Sequence, residues 1–197
     1  GYSFWIKSYQ GDLEYSYSAS VTDSSQPYEV DASEGWNQIA TPYSSPFPIT
    51  SIVAVYSGEE KSFANAAAAG WLSSQLVEYD PSGNSWVQID SSNSLAPGEG
   101  YGIRTYRDLT LNFDPTAAQW AARIVRPAYS FNVKISASAP GAADSDNFFG
   151  AANTASDGYD INDLYEPLDT PGEKTVSLYF PKEDWDRFSG RYSNDIR

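Results

Sequence analysis

The run Leu76-Val77-Glu78-Tyr79, Asp80-Pro81-Ser82-Gly83-Asn84, Ser85-Trp86-Val87-Gln88-Ile89 reads as a β-hairpin. Proline early in the turn presets φ, glycine tolerates a positive φ, and the flanking residues are β-branched or aromatic. Tyr79 and Trp86 flank the turn and are expected to meet across the ladder. The same grammar recurs along the chain. Ile52-Val53-Ala54-Val55-Tyr56 predicts a buried strand closed by Ser57-Gly58. Leu109-Thr110-Leu111-Asn112-Phe113 alternates strictly, as does Ser130-Phe131-Asn132-Val133-Lys134-Ile135. Ser3-Phe4-Trp5-Ile6-Lys7, Leu13 to Ser18 and Val176-Ser177-Leu178-Tyr179-Phe180 read as further short strands. Residues 62–70 form the best helical candidate before the last third of the chain, short and with Gly70 as its stop.

These segments predict an all-β chain, an antiparallel β-sandwich built as one large or two tandem small domains, with little helix. The composition changes near Pro127. Residues 1–127 are therefore expected to form one β-rich domain, and 128–197 a second β-rich segment carrying an acidic loop.

That loop follows from charge. Between Lys134 and Lys174 lie eight carboxylates and no basic residue. Six of them sit in Asp144-Ser145-Asp146-Asn147 and in Asp157-Gly158-Tyr159-Asp160-Ile161-Asn162-Asp163-Leu164-Tyr165-Glu166. Like charges this close repel unless water or a cation separates them. Irregular chain rich in hard oxygen donors suits Ca²⁺, which accepts six to eight such ligands. Asp144, Asp146, Asn147, Asp157, Asp160, Asp163 and Glu166 are the candidate calcium ligands, although their spacing is not that of an EF-hand. The alternative is a solvated acidic surface.

Composition narrows the function classes. With 12 basic and 26 acidic residues the formal charge is −14, so no basic face exists for nucleic acid or anionic lipid. The chain has no histidine and no cysteine, which removes the Ser-His-Asp arrangement, thiol chemistry, disulfides and the usual zinc sites. Carboxylate-only glycoside hydrolysis needs a facing pair about 5–9 Å apart in a cleft. Asp160 or Asp163 with Glu166, and Glu78 or Glu99, are its candidates, each with a simpler role as a turn or solvent-facing residue. The expectation is a non-catalytic chain.

Carbohydrate binding competes with that structural reading, because sugars dock on exposed aromatics. With six Trp and fifteen Tyr there is material for such a face. Trp36 and Trp86 read as core or cross-strand residues. Tyr43 in a proline-rich loop, Trp71 after Gly70 and Tyr159 in the acidic loop are the candidate glycan platform. The chain has no methionine and starts at Gly1, which reads as a trimmed piece or a processed segment of a longer secreted protein.

Two motifs carry a resemblance. Gly35-Trp36-Asn37-Gln38-Ile39-Ala40-Thr41-Pro42-Tyr43 and Pro97-Gly98-Glu99-Gly100-Tyr101, with the hairpin between them, resemble a β-rich accessory module found towards the C-termini of large secreted bacterial proteins. The Asp157-Gly158-Tyr159-Asp160 core resembles acidic loops in accessory domains of the same kind of protein. The resemblance covers residues 35–111 and 131–180. It implies secretion or a cell-surface location, a non-catalytic structural or adhesive role, and partners that are other segments or copies of a larger extracellular protein, or a glycan.

Overall fold

The hairpin forms as expected: β6 (Leu72–Asp80) pairs antiparallel with β7 (Ser85–Asp90), and Tyr79 lies opposite Trp86 with ring centroids 5.7 Å apart. The turn works differently from the sequence expectation. The positive φ falls on Asn84 (46°), whereas at Gly83 an added Cβ would meet the Asp80 carboxylate at 2.9 Å and oblige that side chain to move. The structure is a computed structural model that describes residues 22–116, 128–170 and 174–197.

Two four-stranded antiparallel sheets make the first unit. One runs β1 (Tyr28–Ala32), β10 (Leu109–Phe113), β4 (Ile52–Tyr56), β5 (Glu59–Ser62). The other runs β2 (Gly35–Ile39), β9 (Tyr101–Thr105), β6, β7. Alternate residues of both enter a single core: Val30, Ile52, Ala54, Leu111 and Phe113 from one sheet, Ile39, Leu72, Leu76, Tyr101 and Ile103 from the other. This is the sandwich that the strict alternation at 109–113 predicts. A two-stranded ribbon of β3 (Phe47–Pro48) and β8 (Ser94–Leu95) adds Phe47 and Leu95 to that core. The short helix α1 (Phe63–Ala68) adds Phe63, Ala66 and Ala67. Ser62 caps it by accepting the Asn65 N–H, and Gly70 ends it at φ 66°.

The two halves of the Gly35–Tyr43 and Pro97–Tyr101 pattern are neighbours in space, because β2 pairs with β9 from Gly35↔Thr105 to Ile39↔Tyr101. β9 lies inside its sheet, between β2 and β6, and does not end it.

The rest of the chain covers the outer face of this second sheet. β11 (Tyr129–Ala139) and β12 (Ala142–Ala152) form a long antiparallel hairpin, and β15 (Asn194–Ile196) joins β12 in parallel. A small ribbon of β13 (Phe180–Lys182) and β14 (Gly190–Tyr192) completes this layer. Backbone carbonyls of the irregular stretch between β12 and β13 accept from the sheet below. Trp36 Nε1 donates to Glu166 O at 3.0 Å, Trp86 Nε1 to Leu168 O at 2.6 Å, and Ser74 Oγ to Ile161 O at 2.5 Å. Beneath Trp36, Gly102 is small by necessity: a Cβ there would meet Val77 at 2.7 Å.

Two expected elements differ. Asp144 to Asn147 belongs to strand β12, not to a loop, and residues 176–179 are not a strand. Their ladder is forestalled because the Leu178 N–H is taken by the Asp144 carboxylate at 2.6 Å. The segments at 3–7 and 13–18 and the boundary at Pro127 lie outside the described residues. Among the described residues no helix is long and apolar enough to cross a membrane.

The third layer is held by one ion pair away from water. Lys182 Nζ meets Asp195 Oδ2 at 2.7 Å, with the lysine side chain 6% exposed. Burial alone would raise the Asp195 pKa, but hydrogen bonds and attraction from Lys182 and Arg197 outweigh it, and the net shift is downward. Removing one partner of such a pair strands the other charge. Lys182→Met is expected to cost about 3 kcal/mol in urea unfolding, the low end for a broken buried pair because Arg197 still faces Asp195. Adding Asp195→Asn should recover part of the loss.

Candidate functional site

The seven candidate calcium ligands divide into separate places. Asp157, Asp160 and Asp163 lie in the irregular chain after β12, where two of them organise backbone. Asp160 Oδ1 accepts from Asn162 N–H at 2.8 Å and from the Asn162 side chain at 2.7 Å, and Oδ2 from Ser156 N–H at 2.7 Å. Asp163, 1% exposed, accepts from Asp160 N–H at 2.9 Å and from Ile196 N–H at 3.4 Å. It therefore ties the stretch to β15. Asp157 contributes its backbone carbonyl to Trp185 Nε1 at 3.2 Å.

Asp146 faces the sheet below and is neutralised. Lys134 Nζ lies 2.9 Å from Oδ1, and Gln88 N–H donates to Oδ2 at 2.6 Å. The remaining three converge. Asn147 Nδ2 donates to Asp144 Oδ1 at 2.5 Å, and the Asp144 carboxyl is in hydrogen-bond contact with Glu166. Ser177 and Ser193 hydroxyls donate to the two Glu166 oxygens at 2.9 Å each. A β-bulge brings Asp144 and Asn147 together, since Ile135 pairs with Asn147 but Ala137 with Asp144. Among the described residues no group of three or more acidic side chains is arranged to hold a metal ion.

Electrostatics follow burial. Burial and the neighbouring Asp144 push Glu166 up to about 7 against the two serine hydroxyls. Burial pushes Asp163 up to about 7 as well, opposed by its backbone donors and reinforced by Asp160 and Asp195. Burial and then Glu99 raise Glu78. Neither Glu78 nor Glu99 lines either of the two cavities described below.

The aromatic platform expected of Tyr43, Trp71 and Tyr159 does not form. Trp71, expected to be exposed, is 4% exposed within the sandwich core, edge-on to Tyr56 and beside Lys61 and Arg107. Tyr43 is equally buried, its hydroxyl within hydrogen-bond reach of the carbonyls of Phe113 and Gln26, which compete for its single proton. Burial raises its pKa to about 12. Tyr159 stacks on Phe188 at 3.9 Å in a separate aromatic cluster with Tyr106, Tyr165, Trp185 and Tyr192. That cluster seats the third layer on Trp36, and Arg104 lies over the Tyr165 ring at 4.5 Å.

Two cavities lie between the layers. A cleft of about 350 Å³ opens between β6–β7 and β11–β12–β15, lined by Ser74, Gln75, Gln88, Asn132, Phe148 and Asn194 among others. A cavity of about 20 Å³ sits beside Asp144, Glu166, Ser177 and Ser193, with Trp86 in its wall. Sequence reasoning missed both serines, because a lone Ser carries no signal of its neighbour. Comparison with models of known families, with curated proteins and with solved structures gives no match.

Asp163 makes the pH dependence calculable. Its folded pKa lies above the unfolded value near 4, so the folded form holds the proton more tightly between the two. Its contribution to stability is present below about pH 4 and is lost as pH rises to about 7, with a limiting slope of about 1.4 kcal/mol per pH unit. Urea unfolding of Asp163→Asn at pH 5 and pH 8 should show a smaller fall with pH than the unsubstituted chain. An equal fall would remove Asp163 as the source.

Proposed function

We propose that this chain is a non-catalytic structural or adhesive β module of an extracellular or cell-surface assembly, and that its partner is a second copy of the same chain. The observation that carries this reading is the outward face of the β11–β12 hairpin. Phe131 is 50% exposed, Val133 41% and Phe149 36%. Val133 pairs with Phe149, and the Phe131 and Phe149 rings meet at 6.0 Å, so the three form one apolar surface. Among the described residues β11 is an edge strand of eleven residues. Its sole charge, Lys134, is engaged by Asp146, and no proline interrupts it.

Proteins that avoid pairing blunt such edges with charge, proline or a bulge pointing away. An edge whose single charge is paired within the chain suits pairing with an identical edge, where a two-fold axis sets apolar side chains opposite one another. Of the carboxylates weighed for hydrolysis, Asp160, Asp163 and Glu166 are occupied by backbone amides and serines, which supports a structural role.

Sedimentation equilibrium of the whole chain at 0.15 M salt tests this. Apparent mass should rise towards a dimer with concentration, and Phe131→Lys should hold it at the monomer with unchanged far-ultraviolet dichroism. A monomer at all concentrations, or equal association of the variant, would refute the proposal.

The 350 Å³ cleft supports the second reading, carbohydrate binding. Its amides and hydroxyls around the Phe148 ring suit a mono- or disaccharide. A glycan array should then show binding that Phe148→Ala abolishes, and silence across the array would remove this reading.

A further inference from the structure

The cleft of about 350 Å³ between β6–β7 and the β11–β12–β15 layer is lined by side-chain amides whose orientation is dictated from one end. A backbone carbonyl can only accept, so the Gln88 atom that meets Asp146 O at 2.5 Å is Nε2. The same Nε2 donates to Asn194 Oδ1 at 2.8 Å, and Asn194 Nδ2 donates back to Gln88 Oε1 at 3.1 Å. Asn194 Nδ2 also reaches Gln75 Oε1 at 3.5 Å, which leaves Gln75 Nε2 as the unspent donor of the series. Asn162 is fixed by the same logic. An ionised carboxylate only accepts, so Nδ2 faces Asp160 Oδ1 at 2.7 Å and the Asn162 Oδ1 is left over. Among the described residues Gln75 Nε2, Asn162 Oδ1 and the Asn132 amide have no hydrogen-bond partner, although Asn162 is only 9% exposed. An amide oxygen unpaired on a side chain this enclosed is costly unless something in the cleft meets it.

We propose, resting on the carbohydrate reading above, that this cleft takes an uncharged sugar and that Gln75, Asn132 and Asn162 hydrogen-bond it. The three offer both donors and acceptors without formal charge, which suits hydroxyl groups that each donate and accept. The Phe148 ring and the Tyr129 ring, the latter 40% exposed, line the same cleft and supply its apolar wall. Gln88 and Asn194 are positioning residues, since each spends its amide on the other. Among the described residues no Lys or Arg lines the cleft. Lys134 lies over the Phe148 ring at 5.6 Å, but its charge is spent on Asp146 at 2.9 Å. A sugar carboxylate or sulfate would leave water here with no free cation to meet it, and an ion desolvated without a partner is heavily penalised.

An array that sets neutral glucosyl, galactosyl and mannosyl glycans beside their uronic-acid and sialylated counterparts tests the class of ligand. The whole chain should bind neutral members and hold each charged counterpart about ten-fold more weakly or not at all. Titration calorimetry with the brightest neutral glycan then tests the residues. Asn132→Ala should lower its affinity about five-fold, the worth of one or two neutral hydrogen bonds. Gln75→Glu, which keeps the shape and the Asn194 contact but removes the Nε2 donor, should do the same. Both variants should keep the far-ultraviolet dichroism and melting temperature of the unsubstituted chain. Raising the salt should leave the affinity unchanged, because no ion pair forms on binding. Silence across the whole array would remove the carbohydrate reading and this inference with it. Equal or tighter binding of the charged glycans would overturn the inference and leave that reading standing, as would full affinity in both amide variants.

Discussion

Among the described residues the layering depends on one sheet, β2-β9-β6-β7, being covered on both faces. Its inner face supplies Ile39, Leu72, Leu76, Tyr101 and Ile103 to the sandwich, as an antiparallel sheet with one wet side would. Its outer face carries Trp36 and the buried Val77 beside Gly102. A surface of this kind left in water would forgo several kcal/mol of burial. The chain after residue 128 exists as a layer because that face must be covered, and it has no large aliphatic core of its own. Its buried cluster is aromatic, and Trp36, Tyr106 and Arg104 of the sandwich pack against it.

The way the layer is fastened explains its irregularity. Trp36, Ser74 and Trp86 all donate to backbone carbonyls of the stretch at 161–168, which is possible only because that stretch is not paired as a strand. A regular strand would have used those carbonyls in a ladder. The carboxylates of Asp160, Asp163 and Asp144 do the complementary work, accepting the N–H groups that a ladder would otherwise satisfy. Most of the acidic run is thus an internal hydrogen-bond system for a segment that cannot build secondary structure.

This explains what was legible in the sequence. Alternation over short spans marked β4, β6–β7, β10 and β11, and the turn chemistry at 80–84 located the hairpin, because those signals are local. The Ser62-capped helix ending at Gly70 was legible for the same reason. What local pattern could not give was the identity of each face. Trp71 after a glycine reads as exposed, yet α1 and β5 enclose it. Phe131 and Val133 alternate with polar residues, a pattern that marks a strand without saying which side faces outward, and theirs does. Asp144-Ser145-Asp146-Asn147 reads as a loop because of its charge, but it pairs with β11. The seven carboxylates and amides read as one shell, and only the bulge in β12 shows that Asp144 and Asn147 turn one way while Asp146 turns to Lys134.

The same bulge links the two surfaces of the third layer. Residues 144–147 lie in the strand that also carries Phe149, so the strand presenting the apolar outer face is held from within by contacts to Glu166 and Leu178. An acidic pair facing itself would push β12 away from the chain at 166, and with it the Trp36 anchor at the Glu166 carbonyl. Whatever neutralises that pair therefore sets how firmly the hairpin is seated on the sheet. Neutralisation by a proton would fade towards alkaline pH.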